Sequence, residues 1–307
     1  MENIYEVASS NKRKSFLIIV FFAFFVGLSI YLLSQALGYY WGYEPGGLGV
    51  MGFALILSGL LSFGGYYFSD SIVLTISGAR PADKNRDFNF YTTVENLCIA
   101  SDLPKPRLYI IEDTATNAFA TGRDPKHAVI CATSGLLDKL SRTELEGVIA
   151  HEITHIKNYD TRLMSVVAVL VGTVALLGDW LLRARWRGRS SRDSGSAGAI
   201  ILLLGIVFAV LSPIIAQFIQ LAISRRREFM ADAGSVSITR QPAGLIAALK
   251  KISQDHEPLE AANKATAHLF IVNPFKDKRT SSVGWFANLF NTHPPIKERI
   301  AALNKMT

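Results

Sequence analysis

Residues 16–33 and 48–68 carry no charged side chain over 18 and 21 consecutive positions. A helix needs about 20 apolar residues to cross the hydrocarbon core of a bilayer, and both runs are near that length. No other feature narrows the fold so much, because a helix apolar on every side must be surrounded by lipid or by a large core. Two further apolar runs follow at 163–178 and 197–223, the second interrupted by Pro213, Gln217 and Gln220. Together they explain a mean hydropathy of +0.25 in a chain of 307 residues. The expectation is an integral membrane protein with four membrane-associated helices in two hairpins.

Charge placement sets the expected orientation. Lys12, Arg13 and Lys14 before the first run, with Ser34-Gln35-Ala36 after it, resemble a signal peptide. The apolar stretch exceeds the roughly 7–15 residues of such a segment, so it reads as an uncleaved anchor. The turn after it holds Glu44-Pro45-Gly46-Gly47 and no Lys or Arg, whereas Arg80, Lys84 and Arg86 follow the second run. By the positive-inside rule the N-terminus and the region after residue 70 lie in the cytoplasm, beneath the cell (inner) membrane. Tyr39, Tyr40, Trp41 and Tyr43 suit the outer interface. Arg183, Arg185, Arg187, Arg189 and Arg192 separate the last two runs. Full crossing of residues 163–182 would put them outside, against the rule. Crossing, dipping without crossing, and reversed orientation are the three readings, and Trp180-Leu181-Leu182 favours the first by lengthening the run.

The expected organisation is a basic tail (1–15) leading a membrane hairpin within 1–70, a first catalytic part at 71–160, a second hairpin at 161–223, and a second catalytic part at 224–307. The stretch 71–160 reads as α+β. Ile72 to Ile76 is a strand candidate, 92–100 is helical, and 107–111, 117–121 and 128–132 are short strands. Cys98 and Cys131 read as buried small hydrophobes rather than a disulfide framework. The net charge of +7 suits a membrane surface, and no nucleic-acid motif accompanies it.

Chemistry is carried by His151-Glu152-Ile153-Thr154-His155. Histidines four apart share a helix face and can aim at one metal ion, with Glu152 placed to act as a base on a water. A chain of this composition would show H-E-x-x-H by chance on the order of 0.01 times. The helix is signalled by Ser141-Arg142-Thr143-Glu144, a capping box. Leu145, Val148, Ile149 and Ile156 follow at helical spacing. Gly147 interrupts at a cost of about 1 kcal/mol, a sign of close packing.

A zinc site of this kind takes three protein ligands. After the second hairpin, Glu228 and Asp232 lie four apart on a predicted helix. One carboxylate can bind metal, and the other can hold a ligand histidine's far nitrogen. Without residues 161–223, only ten positions separate His155 from Glu228, so a returning hairpin brings the two helices together.

His-Glu-x-x-His followed by Asn158 and Asp160, S-R-R-R-E-F-M-A-D at 224–232 and T-N-A-F-A-T-G at 116–122 resemble the HtpX-type membrane metalloproteases. These are relatives of the CAAX-prenyl proteases within the gluzincin group. The resemblance covers nearly the whole chain and implies a mainly helical, zincin-like catalytic domain with a small β-sheet. It implies one Zn²⁺ per chain held by His151, His155 and Glu228, with Glu152 as general base and Asp232 beside a ligand histidine. It further implies that Asn117, Ala118, Phe119, Ala120 and Thr121 form the edge strand that pairs with substrate. Thr292-His293-Pro294-Pro295 resembles the family's C-terminal motif, with His293 near the scissile bond and Arg299 supporting the site.

The expected partners are membrane protein or peptide substrates and the lipid bilayer, and the expected role is quality control of damaged or misfolded membrane proteins. A CAAX-type prenyl-peptide protease is the rival enzyme, though four apolar segments are few for an enclosed membrane chamber. A membrane zinc sensor or scaffold is the rival of another class, and it would not need Glu152.

Overall fold

The computed structural model describes residues 4–41, 52, 56–57, 59–60, 63–169, 225–261, 266, 269–272 and 294–306. Helix α1 spans Ile4–Trp41. The sequence reads residues 1–15 as a tail, but from Ile4 onward they are helical. The reason is visible on one face, where Val7, Asn11, Ser15 and Ile18 are buried at helical spacing. The neighbouring Phe16, Leu17, Val20, Phe21 and Phe24 are exposed.

Helix α2, Ser69–Ile76, replaces the strand expected at 72–76. Its buried residues are Ser69, Asp70, Val73 and Leu74, a pattern of period near four that a strand could not produce. Tertiary packing has overridden the β-branched composition. Strand β1 is Arg80–Pro81, helix α3 is Phe88–Ser101, strand β2 is Arg107–Ile111, strand β3 is Ala118–Thr121 and strand β4 is Val129–Thr133. Helix α4 is Ser134–Lys139 and helix α5 is Arg142–Lys157. Residues 160–169 are again helical. Helices α6, Arg225–Thr239, α7, Pro242–Gln254, and α8, Ile296–Leu303, follow.

The sheet order is β1-β2-β4-β3. β2 and β4 run parallel, while β1 and β3 pair antiparallel to their neighbours. Side chains alternate across it. Leu108, Ile110, Ala118, Ala120, Ile130 and Ala132 join a core with α3, α5 and α7. Ile111, Phe119 and Cys131 face a second cluster containing Ile18, Val73, Leu163, Val167 and Phe270. Cys98 and Cys131 are free and buried, and burial pushes the Cys98 thiol up to about 11.

Helix α5 is the pivot. Ser141 and Glu144 form the expected capping box, the Ser141 N–H donating to Glu144 at 2.7 Å. Leu145, Val148, Ile149 and Ile153 are buried, each contributing roughly 1.5–3 kcal/mol. A Cβ at Gly147 would sit 2.6 Å from the Leu245 backbone nitrogen, and one at Gly244 would sit 2.5 Å from the Thr143 carbonyl. These two glycines let α5 and α7 touch backbone to backbone. Of the four uncharged sequence runs, 16–33 lies within α1, and the other three lie wholly or partly outside the described residues. Among those residues, no helix is long and apolar enough to cross a membrane. The arginine cluster at 183–192 lies outside them altogether.

Candidate metal centre

Helix α5 presents His151 and His155 on one face, and α6 lies against it. Ser235 of α6 donates to the Gly147 carbonyl at 2.8 Å, and a Cβ at Gly234 would fall 2.3 Å from the Thr154 methyl. This close contact brings Glu228 to the histidines. Its carboxylate lies 3.7 Å from His151 Nε2 and 3.6 Å from His155 Nε2. The two Nε2 atoms are 3.1 Å apart. Donor atoms of His151, His155 and Glu228 all fall within 4.8 Å of one another, and all three residues are buried.

This donor set fits a zinc ion. With metal–ligand bonds of about 2.0–2.2 Å, tetrahedral geometry puts neighbouring donors roughly 3.3–3.5 Å apart. The observed separations of 3.1 to 3.7 Å bracket that value. The far ring nitrogens are fixed by carboxylates, which aims both Nε2 atoms inward. His151 Nδ1 lies 3.0 Å from Asp232, and His155 Nδ1 lies 2.9 Å from Asp160.

Asp232 is held in turn by Arg299 of α8, through Nε at 3.0 Å and Nη2 at 2.7 Å. Burial alone would raise the Asp232 carboxyl, but His151 and Arg299 hold it below the usual range. Arg299 Nη1 is also 3.7 Å from Glu228. The arginine is 1 % exposed, so its charge is balanced by buried carboxylates rather than by water.

Burial pushes Glu152 up to about 7, and Glu228 adds to the rise. His155, Arg299 and the Ala120 backbone act against it. Burial and Arg299 lower His151 to about 4. Burial would lower His155 too, but Asp160 and Glu228 raise it to about 9.

Residues 85–307 match the family model for peptidase family M48. The chain belongs to that family. Over 302 residues the M48 chain is 43% identical to the "Protease HtpX homolog" of Dictyoglomus thermophilum, covering 98% of this chain and 94% of the relative. The homolog of the same name from Thermoanaerobacter pseudethanolicus is 43% identical over 312 residues, covering 100% and 99%. That from Streptococcus uberis is 39% identical over 312 residues, covering 99% and 100%. The HtpX-type resemblance drawn from the motifs is therefore borne out. A crystal structure of S. mikatae Ste24p aligns at 17% identity with a TM-score of 0.43, covering 90% of this chain and 62% of that one.

In this M48 chain β3 is one edge of the sheet, beginning at Ala118, with Asn117 just before it. Its outward groups are engaged at the Ala118 end. The Ala118 carbonyl accepts from the Ile271 N–H at 3.0 Å, and Asn117 Nδ2 donates to the Val272 carbonyl at 3.0 Å. Phe119 packs edge-on against Phe270 with centroids 5.0 Å apart. Residues 269–272 thus cover the Ala118 end of the edge expected to receive substrate. Thr121 bonds Ser165 at 2.7 Å on the other side. His293 lies outside the described residues. His127 is an exposed partner of Asp124 at 2.8 Å. Sequence reasoning quoted Asp160 only as part of a motif. Its place five residues after His155, just past the helix end, is the signal for its contact.

Proposed function

We propose that the protein is a membrane-anchored zinc endopeptidase that cleaves membrane proteins near the cytoplasmic face, in the quality control of misfolded or damaged chains. The observation that carries the peptidase reading is the convergence of His151, His155 and Glu228 beside Glu152 in a chain of a peptidase family. When bound, zinc would supply Lewis-acid polarisation and a more acidic water, with a pKa near ~7. Every other part of the reaction belongs to side chains. Glu152 takes a proton from the attacking water and returns it to the leaving amine. Asp160 and Asp232 fix the histidine rings, and Arg299 fixes Asp232. The family resemblance assigns His293 a role near the scissile carbonyl.

An extended substrate would add to β3 by main-chain bonds. The Ala120 edge lies beside Glu152, and residues 269–272 would give way at the Ala118 end. Membrane anchoring is supported by the uncharged sequence runs and by the exposed Phe16, Leu17, Leu60, Phe63 and Phe68. Such side chains are costly to leave in water and at home in lipid.

The experiment is Glu152→Gln in the full chain, purified in detergent. It should retain wild-type zinc by elemental analysis while cleavage of an unfolded, fluorescently labelled membrane protein falls roughly 10²–10⁴-fold, as for loss of a general base. Cleavage at the wild-type rate would remove Glu152 from the mechanism.

A further inference from the structure

The strongest unassigned contact lies between the N-terminal helix and the outer side of the metal centre. Asn11 of α1 is 2 % exposed, and both its amide hydrogens are used. Nδ2 donates to the Asn158 carbonyl at 2.9 Å and to Asp160 Oδ1 at 2.7 Å. The other oxygen of Asp160 is the one on His155 Nδ1, at 2.9 Å. A continuous path therefore runs from α1 through one carboxylate to a ring whose far nitrogen faces the centre.

The same amide also finishes α5. Asn158 is the C-cap residue of that helix, and its carbonyl is one that no intrahelical donor can reach. Next comes Tyr159, with φ of 58°, a left-handed conformation that a non-glycine residue adopts only when its surroundings fix it. Lys12 Nζ stands 4.0 Å over the Tyr159 ring. Asn11 and Lys12 thus both contact the turn 158–160, and that turn is what points Asp160 back at His155. Arg227 Nη1 lies 3.7 Å from the same Asp160 Oδ1 and adds positive charge there.

We propose that Asn11 is a positioning residue for the metal centre: its side-chain amide sets the Asp160 carboxylate, and through it the His155 ring. The role rests on the zinc reading given above. It ties the binding strength of the centre to a helix outside the matched family region, which begins at residue 85.

The test uses the full-length zinc-loaded protein in detergent and follows zinc release to a coloured chelator, with the visible spectrum of the cobalt-substituted protein as a second readout. Removing an outer partner of a metal ligand weakens binding roughly 10–100-fold, so Asn11→Leu, one bond further out, should speed release about 3- to 10-fold. Val7→Ala loosens the same buried stripe one turn earlier without touching Asp160, and should leave both release and the cobalt bands near wild type. In an Asp160→Ala background, Asn11→Leu should add less than about a twofold change, because partners acting through one group are not additive. Equal effects of Asn11→Leu in both backgrounds would overturn the relay, as would unchanged release, or a Val7→Ala effect as large as that of Asn11→Leu. A wild-type chain that takes up no zinc would overturn the zinc reading itself, and the relay with it.

Discussion

His151 and His155 point their Nε2 atoms at each other across 3.1 Å, with the ring planes at 90°. Two imidazoles so placed, with Glu228 beside both, share one site rather than form two. Zinc added to chelator-stripped protein should therefore raise the unfolding temperature, by the equivalent of about 2.7 kcal/mol at 100 times Kd. His155→Ala should abolish the rise in a thermal scan. A rise of wild-type size in that variant would show zinc binding elsewhere.

Arg299 and Asp232 make a buried two-bond pair under His151. Arg299→Met leaves Asp232 and Glu228 without their shared cation, and the expected loss is about 3–5 kcal/mol in a urea titration. Arg299→Lys should recover only part of it, since an ammonium cannot repeat the planar two-bond grip. Full recovery by lysine would mean that charge alone matters there.

Gly147→Ala tests the contact between α5 and α7. Alanine should improve helix propensity by about 1 kcal/mol. Here its methyl meets the Leu245 backbone at 2.6 Å, and overpacking costs typically about 1–3 kcal/mol. The variant should be net destabilised in the same titration; a gain in stability would show that the two helices separate without penalty.

Glu144 gives a pH signature. Burial pulls its carboxyl upward, but Lys251 Nζ at 2.7 Å and the Ser141 N–H outweigh it and hold it below the usual 4.5. A carboxyl lowered in the folded state stabilises above its unfolded pKa and loses that contribution as pH falls through the folded value. The stability deficit of Glu144→Gln should therefore be constant from pH 7 to about 5 and shrink as pH falls further. A deficit independent of pH down to 3 would show that the carboxylate charge contributes nothing.

What could be read in advance was local. The capping box, the two histidines at helical spacing and the strands at 107–111 and 128–132 are each set by residues within a few positions. Gly147 announced a close approach without naming Leu245. Ile72 to Ile76 misled because β-branched composition favours a strand, whereas burial of Asp70, Val73 and Leu74 belongs to a helix. Asp160 and Asn11 were less accessible still. Their bond joins positions 149 apart, and no short pattern marks an asparagine on an apolar helix as a partner of a distant aspartate. The cover over β3 by Ile271 is of the same kind.

The continuity of α1 has a mechanical consequence. Asn11 sits on the outer side of the centre, and the uncharged run begins at Phe16 on the same unbroken helix. Five residues of helix rise about 7.5 Å. In the membrane-anchored reading the helix is a fixed spacer that holds the cutting site at one height above the lipid. In that reading a folded domain would be held off that height, whereas a slack or unfolded juxtamembrane stretch would reach it. Selection of damaged chains would then arise from reach, with little demand on side-chain recognition.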